Sequence, residues 1–412
     1  MRRYVVTTLL IAIYAFEALS QGSETGPAIK LSGFIKNDIF YDTRQTSPAN
    51  GLREGHFFLY PDNVLYDAEM NDLNANPSFH ILNIQTRLRA DISGPDAFGA
   101  KTSGAIEAEF FGTSESDLNG FRLRHAYVKM DWKKTTLLIG QYWHPLFPTE
   151  SFPGTLSFNT GAPFVPFSRN PQVRITKMAG VMSLSLTAYS QRDFTSSGPD
   201  GGSSRYLRNS GLPGMNFQIR IAGGNVFTGW AGIDYKRLRP EIVTSANAET
   251  DAMIGSFILF GNIKIKSEPV NISVMGVYGQ NSSDLVMIGG YAVSEVTDPV
   301  HMFKTYTNLN TASIWADLTT NGDKVKAGLF TGFSKNLGAD DQITGAVYGR
   351  GNNIDRLFRV SPRIVLTEGY LSFGAEIEST TAAYGTARTD GRVSDTHNVT
   401  NVRVLLSTIY KF

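Results

Sequence analysis

Residues 399–412 have the sequence V-T-N-V-R-V-L-L-S-T-I-Y-K-F, which shows most clearly the pattern that returns along the chain. Successive side chains of a β-strand point to opposite faces, so this stretch has one apolar face that ends on aromatic residues and one mainly polar face. The apolar face carries Val402, Val404, Leu406, Thr408, Tyr410 and Phe412, and the polar face carries Asn401, Arg403, Ser407 and Lys411. Leu405 and Ile409 are exceptions. A strand between lipid and water needs this pattern, although an edge strand of a soluble sandwich could also show it.

The same alternation returns along the whole chain. It predicts strands at 29–42, 79–93, 102–111, 121–132, 135–143, 172–178, 181–189, 215–222, 226–235, 254–266, 270–278, 307–318, 324–333, 354–366 and 370–379. With 399–412 the total is about sixteen, and bacterial membrane barrels have an even number of strands.

Short and long connections between these segments alternate. Those at 133–134, 179–180, 223–225, 267–269, 319–323 and 367–369 are short, whereas 43–78, 144–170, 190–214, 281–304, 334–353 and 380–398 are long. Soluble sandwiches do not sort their loops in this way, but a barrel with short periplasmic turns and long external loops does. The sequence therefore predicts an all-β protein, a transmembrane antiparallel β-barrel formed by residues 21–412 as a single domain.

The N-terminus indicates export. Arg2 and Arg3 precede an apolar run at 4–16, and Ala18-Leu19-Ser20 offers small residues for a signal peptidase. We therefore predict a signal peptide at 1–20 and a location in the bacterial outer membrane, with outer-membrane lipid around the barrel. A net charge of +1 with 18% charged residues argues against nucleic acid as a partner.

The two faces conflict in the predicted strand 121–132. Arg122 and Arg124 share a face with the apolar residues Ala126, Val128 and Met130. Either a bulge shifts the register within the strand, or both arginines lie above the lipid band at its outer rim. We favour the second explanation.

Several segments of the first half resemble the DcaP-like, dicarboxylate-associated porins of bacterial outer membranes. They are G-F-I-K-N-D at 33–38, T-R-L-R at 86–89, A-E-F-F-G at 108–112, L-R-H-A-Y-V at 123–128, L-I-G-Q-Y-W at 138–143 and N-P-Q-V-R at 170–174. The resemblance implies a homotrimer of sixteen-stranded barrels that passes small, often anionic solutes, with the loop after the fifth strand folded into the pore. Resemblance to barrel closing strands further implies that Tyr410 and Phe412 are a signal for the outer-membrane assembly machinery. The chain departs from the family at H-P-L-F, 144–147, where a more polar sequence is expected.

The connection 144–170 is a candidate constriction loop. It follows the fifth predicted strand, is too long for a simple turn, and carries Phe152, Phe158 and Phe164 among its aromatic residues, which are poorly suited to a solvated loop. The alternative is that these aromatic residues pack against a neighbouring barrel of a trimer.

Charged residues on the predicted inner face suggest a modest preference for small anionic solutes, carboxylates in particular. Hairpin register places Arg87 and Arg89 across from Glu107 and Glu109, and Arg359 near Glu376 or Glu378, so much of this charge is neutralised within the wall. The pore-lining candidates are Arg87, Arg89, Arg174, Arg220, Arg363, Arg403, Glu107 and Glu109. Of these, Arg174, Arg220 and Arg403 lack an obvious acidic neighbour and are the predicted solute contacts. In the alternative, these three bind the inserted loop and the pore is only weakly selective.

We find no pattern that predicts catalysis. The six histidines have no metal-ligand spacing, and the candidate pair Asp395 and His397 is interpreted as a solvated loop. The sequence thus predicts a passive porin without cofactor, metal or enzymatic activity. Two alternatives stay open: a barrel enzyme that acts on lipid or peptide, and a structural or adhesive barrel plugged by its loops.

Overall fold

The computed structural model describes residues 26–48, 55–112 and 117–412, and within these ranges sixteen antiparallel strands form one closed barrel. The strands are β1 (Ala28–Asp42), β2 (Ser78–Leu82 and Arg87–Ser93), β3 (Lys101–Glu109), β4 (Arg122–Trp132), β5 (Thr135–Trp143), β6 (Arg169–Ala179), β7 (Met182–Tyr189), β8 (Gly214–Gly223), β9 (Phe227–Leu238), β10 (Ile254–Lys266), β11 (Val270–Gln280), β12 (Phe303–Thr320), β13 (Val325–Ala339), β14 (Ile354–Glu368), β15 (Leu371–Ala387) and β16 (Val393–Lys411). Because β1 pairs with both β2 and β16, the sheet closes. The predicted fold is confirmed, and the predicted signal peptide lies outside the described residues.

The two faces of the barrel have opposite chemistry. Along β16, Val404, Leu406 and Tyr410 are exposed on the outside, whereas Arg403 and Ser407 are buried on the inside. The other strands also expose apolar side chains, among them Leu31, Ile35, Leu88, Val128, Ile139, Val173, Leu184, Phe217, Ile233, Leu259, Ile314, Leu329, Ile364 and Phe373. An apolar outer face around a polar interior is the arrangement that a bilayer-spanning barrel requires.

The connections contribute short elements of their own. Thr46–Pro48 pairs with Phe58–Pro61, Ser197–Gly198 pairs with Gly201–Gly202, and Gly289–Asp298 extends beyond the barrel to pair with Val347–Arg350. A helical turn spans Arg205–Arg208, and 3-10 turns span Leu73–Ala75 and Ser283–Leu285. None of the helices in the described ranges is both long and apolar enough to cross a membrane.

Strand β2 differs from the continuous alternation that the sequence predicts for 79–93. It is interrupted at 83–86, where a turn connects the Thr86 N–H to the Asn83 carbonyl. The interruption adds one residue opposite β1, which reverses the faces: Phe79 and Ile81 are exposed before it, Leu88 after it, and Ile84 is buried in the interior. A continuous alternation over 79–93 would place Ile84 on the same outward face as Leu88, so the prediction of an uninterrupted strand is wrong at this point.

Strand β4 contains a bulge, so our preferred explanation for Arg122 and Arg124 is wrong. Glu107 pairs with His125 and Ala108 with Leu123, which leaves Arg124 as the extra residue. The bulge turns Arg124 into the barrel, where its side chain is buried against Glu107 and Glu109. The two carboxylates supply the counter-charge that a buried guanidinium needs.

Strands β15 and β16 extend beyond their predicted ends. Their ladder continues through Tyr384 opposite His397 to Ala387 opposite Val393, so the predicted long loop 380–398 is reduced to 388–392. Residues 380–398 do not alternate between apolar and polar side chains as the lipid-facing parts of the strands do. Periodicity therefore predicted the strand ends too early.

Candidate functional site

The inner wall formed by β2, β3 and β4 carries a dense network of ion pairs. The predicted pairs are present: Arg87 lies 3.1 Å from Glu109, and Arg89 lies 3.1 Å from Glu107. Arg124 bridges both carboxylates, at 2.6 Å from Glu107 and 2.5 Å from Glu109. Charge on this wall is therefore largely balanced, and the side chains are held in fixed positions.

The network continues toward the loops. Arg122 and Arg169 approach Glu109 at 2.9 and 3.4 Å, and both also bind Asp193 of the connection after β7. A buried carboxylate surrounded by four guanidinium groups, as Glu109 is, stays ionised and binds strand to loop. This role of Arg169 and Asp193 could not be predicted from strand periodicity, because neither residue is near Glu109 along the chain.

Arg403 has a partner that the sequence analysis missed. Its guanidinium binds both carboxylate oxygens of Asp42, at 3.0 and 2.7 Å, and donates to the Gly55 carbonyl at 2.6 Å. Both side chains are buried. Asp42 lies directly opposite Arg403 where β1 closes on β16, so the premise that Arg403 has no inward acid beside it is wrong.

Arg220 and Arg174 differ from each other. Arg220 forms two hydrogen bonds of 2.7 Å with Glu150 of the inserted loop, so it too has an acidic partner. Arg174 makes no ion pair with any described residue; it donates to the Trp143 carbonyl at 3.0 Å and lies over the Tyr142 ring at 5.6 Å. Arg174 is thus the predicted solute contact whose charge is not neutralised by an acid.

The two remaining inward arginines are held in the wall. Arg363 forms a bidentate pair with Asp317 at 2.7 and 2.9 Å, and Arg359 lies 3.2 Å from Glu378, as predicted. Arg359 also donates to the carbonyls of Ala162 and Leu59, each at 2.7 Å. It therefore connects the wall to two inserted segments.

The connection 144–168 lies inside the barrel. Glu376 of β15 accepts hydrogen bonds from the backbone N–H groups of Leu156 and Ser157, at 2.7 and 3.3 Å. The Asn159 amide donates to both oxygens of Glu378, at 3.1 and 3.0 Å, and Lys36 donates to the Leu156 carbonyl at 2.6 Å. Leu156 also packs against Leu405 and Phe40, which explains why an apolar Leu405 is tolerated on the inner face.

The three phenylalanines predicted for this loop have different environments. Phe158 and Phe164 are buried; Phe158 stacks on Phe111 with centroids 4.3 Å apart, and Phe164 lies beside Phe330 of the wall. Phe152 is 52% exposed inside the barrel. Two of the rings thus anchor the loop, and the third faces a cavity.

A second inserted segment, 55–61, was not predicted. Phe57 makes edge contacts with Phe158, Phe167 and Phe194, so it joins the inserted loop to other connections. His56 lies 3.1 Å from Asp38 of β1. The apolar run F-F-L-Y at 57–60 in a polar connection was the signal that could have revealed it.

Two cavities flank the inserted loop. The larger, of about 590 Å³, is lined by Lys36, Arg87, Arg89, Trp143, Phe147 and Phe152, among others. The smaller, of about 200 Å³, is lined by Glu150, Arg174, Thr176, Ser183, Gln218 and Arg220, among others. Phe147 and Thr149 contribute to both cavities and separate them.

The remaining candidates for chemistry show no catalytic arrangement among the described residues. His397 is hydrogen-bonded to Asn63 at 2.9 Å, whereas Asp395 accepts from Ser394. No group of three or more potential metal ligands occurs in the described ranges. The geometry therefore does not support Asp395 and His397 as a catalytic pair.

Comparison with solved structures gives similar barrels. The outer membrane channel DcaP of Acinetobacter baumannii has 18% identity and a TM-score of 0.68, covering 95% of this chain and 99% of that one. OmpT of Vibrio cholerae, in a structure described as a trimer form, has 10% identity and a TM-score of 0.55, covering 94% of this chain and 100% of that one. An anion-selective porin from Comamonas acidovorans has 9% identity and a TM-score of 0.55 with the same coverage. No family model and no curated protein sequence matches the chain.

At these sequence identities the likeness is one of fold alone. For DcaP the shared fold covers nearly the whole length of both chains. The resemblance to DcaP-like porins carried by the first half of the sequence is therefore confirmed at the level of the fold, and the chain is a sixteen-stranded transmembrane β-barrel of the porin fold.

Proposed function

We propose that the protein is an outer-membrane porin, a passive diffusion channel for small hydrophilic solutes with a modest preference for anions. The observation that carries this proposal is a closed barrel with an apolar outside, a charged inside, and a loop bound across its interior. Such a sheet places lipid outside and water inside, and the space beside the loop is where a solute would pass.

In this proposal the connection 144–170 is the constriction. Its contacts reach β1, β8, β10, β12, β14 and β15, through Lys36, Arg220, Asn262, Ser313, Arg359 and Glu376. Because the loop is held at both ends and along its length, it narrows the lumen in a fixed position. Phe152, together with the cations of the opposite wall, then lines the narrow passage.

The anion preference rests on Arg174. Arg220 shares its charge with Glu150, so the smaller cavity has one positive charge without an acidic partner, beside the hydroxyls of Thr176 and Ser183. A guanidinium stays charged at any physiological pH and suits carboxylates. Its field extends over a Debye length of about 8 Å at physiological salt, so the preference should be strong at low salt and weak at high salt.

A homotrimer in the bacterial outer membrane is part of the proposal. It is supported by the signal peptide predicted at 1–20, by the exposed aromatic residues Tyr410 and Phe412 at the end of β16, and by the barrel fold shared with OmpT of Vibrio cholerae. Aromatic residues at the edge of the apolar belt suit the membrane interface. We propose that the assembly machinery recognises this terminal strand.

The reversal potential in a gradient of KCl tests the selectivity. We expect the wild-type channel to favour chloride, and Arg174→Gln to reduce that preference without changing the fold. Arg208→Gln is the matched control, because Arg208 is an exposed cation of an outer connection that lines a groove on the outside of the barrel. A cation preference in the wild-type protein, or an equal change in both variants, would defeat the proposed selectivity.

One observation favours a different function, a barrel plugged by its loops. Buried apolar residues from the connections, including Phe57, Phe111, Phe167, Phe194 and Leu285, form one cluster with wall residues such as Trp315. Such a cluster could seal the interior. Measurement of single-channel current separates the two functions, since a plugged barrel carries none.

A further inference from the structure

The connection between β1 and β2 presents an apolar surface at the outer edge of the barrel. Residues 62–76, here called the rim loop, expose four large apolar side chains, which are Leu65, Tyr66, Met70 and Leu73. Glu69 is exposed among them, and a carboxylate does not suit lipid, so this loop lies above the apolar belt. A cluster of apolar side chains in water marks a surface that another molecule covers.

Hydrogen bonds hold the rim loop in one shape. Asp67 Oδ1 accepts the backbone N–H groups of Glu69 and Asn71, at 3.0 and 2.8 Å. The loop is fixed to the barrel by Arg44, which lies 3.2 Å from Asp72. A surface that is already ordered loses little conformational entropy when it binds a partner.

An apolar groove of about 630 Å³ lies on the outside of the barrel, between the wall of β5–β7 and the connection 190–214. Its lining includes Ile139, Val173 and Ala188 on the wall, and Leu207 and Leu212 on the connection. Arg208 at this groove is exposed and forms no ion pair with a described residue. The groove thus combines an apolar lining with one free positive charge.

We infer that the rim loop of one protomer fills the outer groove of the next, with Met70 on the apolar lining and Glu69 beside Arg208. This inference rests on the proposed homotrimer and names a contact that holds it together. The two surfaces are different patches of one chain, so the contact is heterologous, and such contacts close into a ring when the rotation allows. Both patches lie at the same end of the barrel, because the connections after β1 and β7 leave an antiparallel sheet on one side.

A second copy of the chain fits these observations better than lipid does. An acyl chain would fill the groove but leave the rim loop in water. The rim loop of a neighbour covers both apolar surfaces at once, and it brings together Glu69 and Arg208, neither of which has an ion-pair partner among the described residues. The groove lies outside the lumen, so this contact leaves ion selectivity to residues inside the barrel.

Disulfide cross-linking in outer membranes tests the inference. The chain has no cysteine, so Met70→Cys with Leu212→Cys supplies its only thiols. After oxidation we expect linked dimers and trimers on a boiled, non-reducing gel, and nothing larger, because a ring of three closes. A link within one chain is excluded, since three strand spacings or more, roughly 15 Å, separate the two sites, whereas a disulfide joins Cα atoms about 4.4–6.8 Å apart.

Met70→Cys with Val300→Cys is the matched control, because Val300 is an exposed apolar residue of a different connection, between β11 and β12. This pair, and each single variant, should give no linked species. Linking by Met70→Cys alone would overturn the inference, because it would show a contact between two rim loops. Equal linking by the control pair would overturn it as well.

Correct folding of each variant is checked by its slower gel mobility after boiling. Trimers on an unboiled gel without links in the double variant would overturn the contact and leave the proposed trimer standing, whereas monomers would overturn both. Lipid retained by the purified protein, together with absent links, would assign the groove to lipid and defeat the inference. Exchange of the two charges is a second test: Glu69→Arg should reduce the unboiled trimer, and adding Arg208→Glu should restore it.

Discussion

Arg403 and Arg174 are both inward arginines of the wall, yet their surroundings give them different roles. Arg403 is buried in a bidentate pair with Asp42. The pair neutralises the charge of Arg403 and holds β16 to β1. Arg174 has only a carbonyl and a ring as neighbours among the described residues. The first is structural, and the second can respond to a passing anion.

Replacing Arg403 by Gln should destabilise the barrel by about 3–5 kcal/mol, because Asp42 would remain buried without its counter-ion. Arg174→Gln, which loses one hydrogen bond to a carbonyl, should cost about 1 kcal/mol. The measurement is the urea midpoint at which the unboiled form converts to the unfolded form on a gel. Equal midpoints for the two variants would show that the Asp42 pair does not hold the seam.

The pair between Arg403 and Asp42 was not predicted because of the barrel's topology. Arg87 and Glu109 lie on consecutive strands, so hairpin register alone places them together. Asp42 and Arg403 are opposite each other only because the barrel closes, and closure joins the two ends of the chain. Glu150 likewise reaches Arg220 only because a loop folds inward, which no strand periodicity can predict.

At the scale of elements, the inserted loop depends on two carboxylates of β15. Glu376 accepts two backbone N–H groups, and Glu378 accepts both bonds of the Asn159 amide while it pairs with Arg359. A glutamine can accept only one bond of each pair and carries no charge. Hydrogen bonds to charged groups contribute about 1.5–3 kcal/mol each, so both carboxylates matter for the position of the loop.

We therefore expect the double variant Glu376→Gln, Glu378→Gln to raise single-channel conductance and to increase current noise, since a released loop obstructs the lumen less. Glu368→Gln is the control, because Glu368 pairs with Lys324 in an exposed position at the short-turn end of β14. Conductance identical to wild type in the double variant would mean that the loop does not limit the passage.

Strand β16 closes the barrel against β1 at its C-terminal end. Phe412 is exposed on the outside, and its backbone exchanges hydrogen bonds of 3.0 and 3.2 Å with Gly33 of β1. Deleting Phe412 removes these closing bonds and one interfacial aromatic ring. We expect less heat-shiftable protein in the outer-membrane fraction, with export across the inner membrane little affected.

Tyr370→Ala serves as the comparison, because Tyr370 is another exposed aromatic residue, in the turn between β14 and β15, and the loss of its side chain leaves both hydrogen bonds between Phe412 and Gly33 in place. If that variant assembles as poorly as the deletion, the loss reflects the aromatic rim in general rather than the end of the chain.

For the whole molecule, periodicity was sufficient to predict the strands because lipid and water impose opposite demands on alternate side chains. It failed wherever a strand departs from regular pairing, as at Ile84 and Arg124, where one extra residue exchanges the faces. It also failed for Phe57, which packs inside the barrel against other connections. Bulges and inserted loops are set by contacts distant in sequence, so they leave only weak local signals.

We propose that solutes pass between the inserted loop and the wall of the closed barrel. Single-channel recording of the purified protein in a planar bilayer tests it most directly. We predict discrete current steps that rise linearly with voltage. Wild-type protein that is inserted and heat-shiftable, yet carries no current at any voltage, would contradict the claim and identify the barrel as plugged.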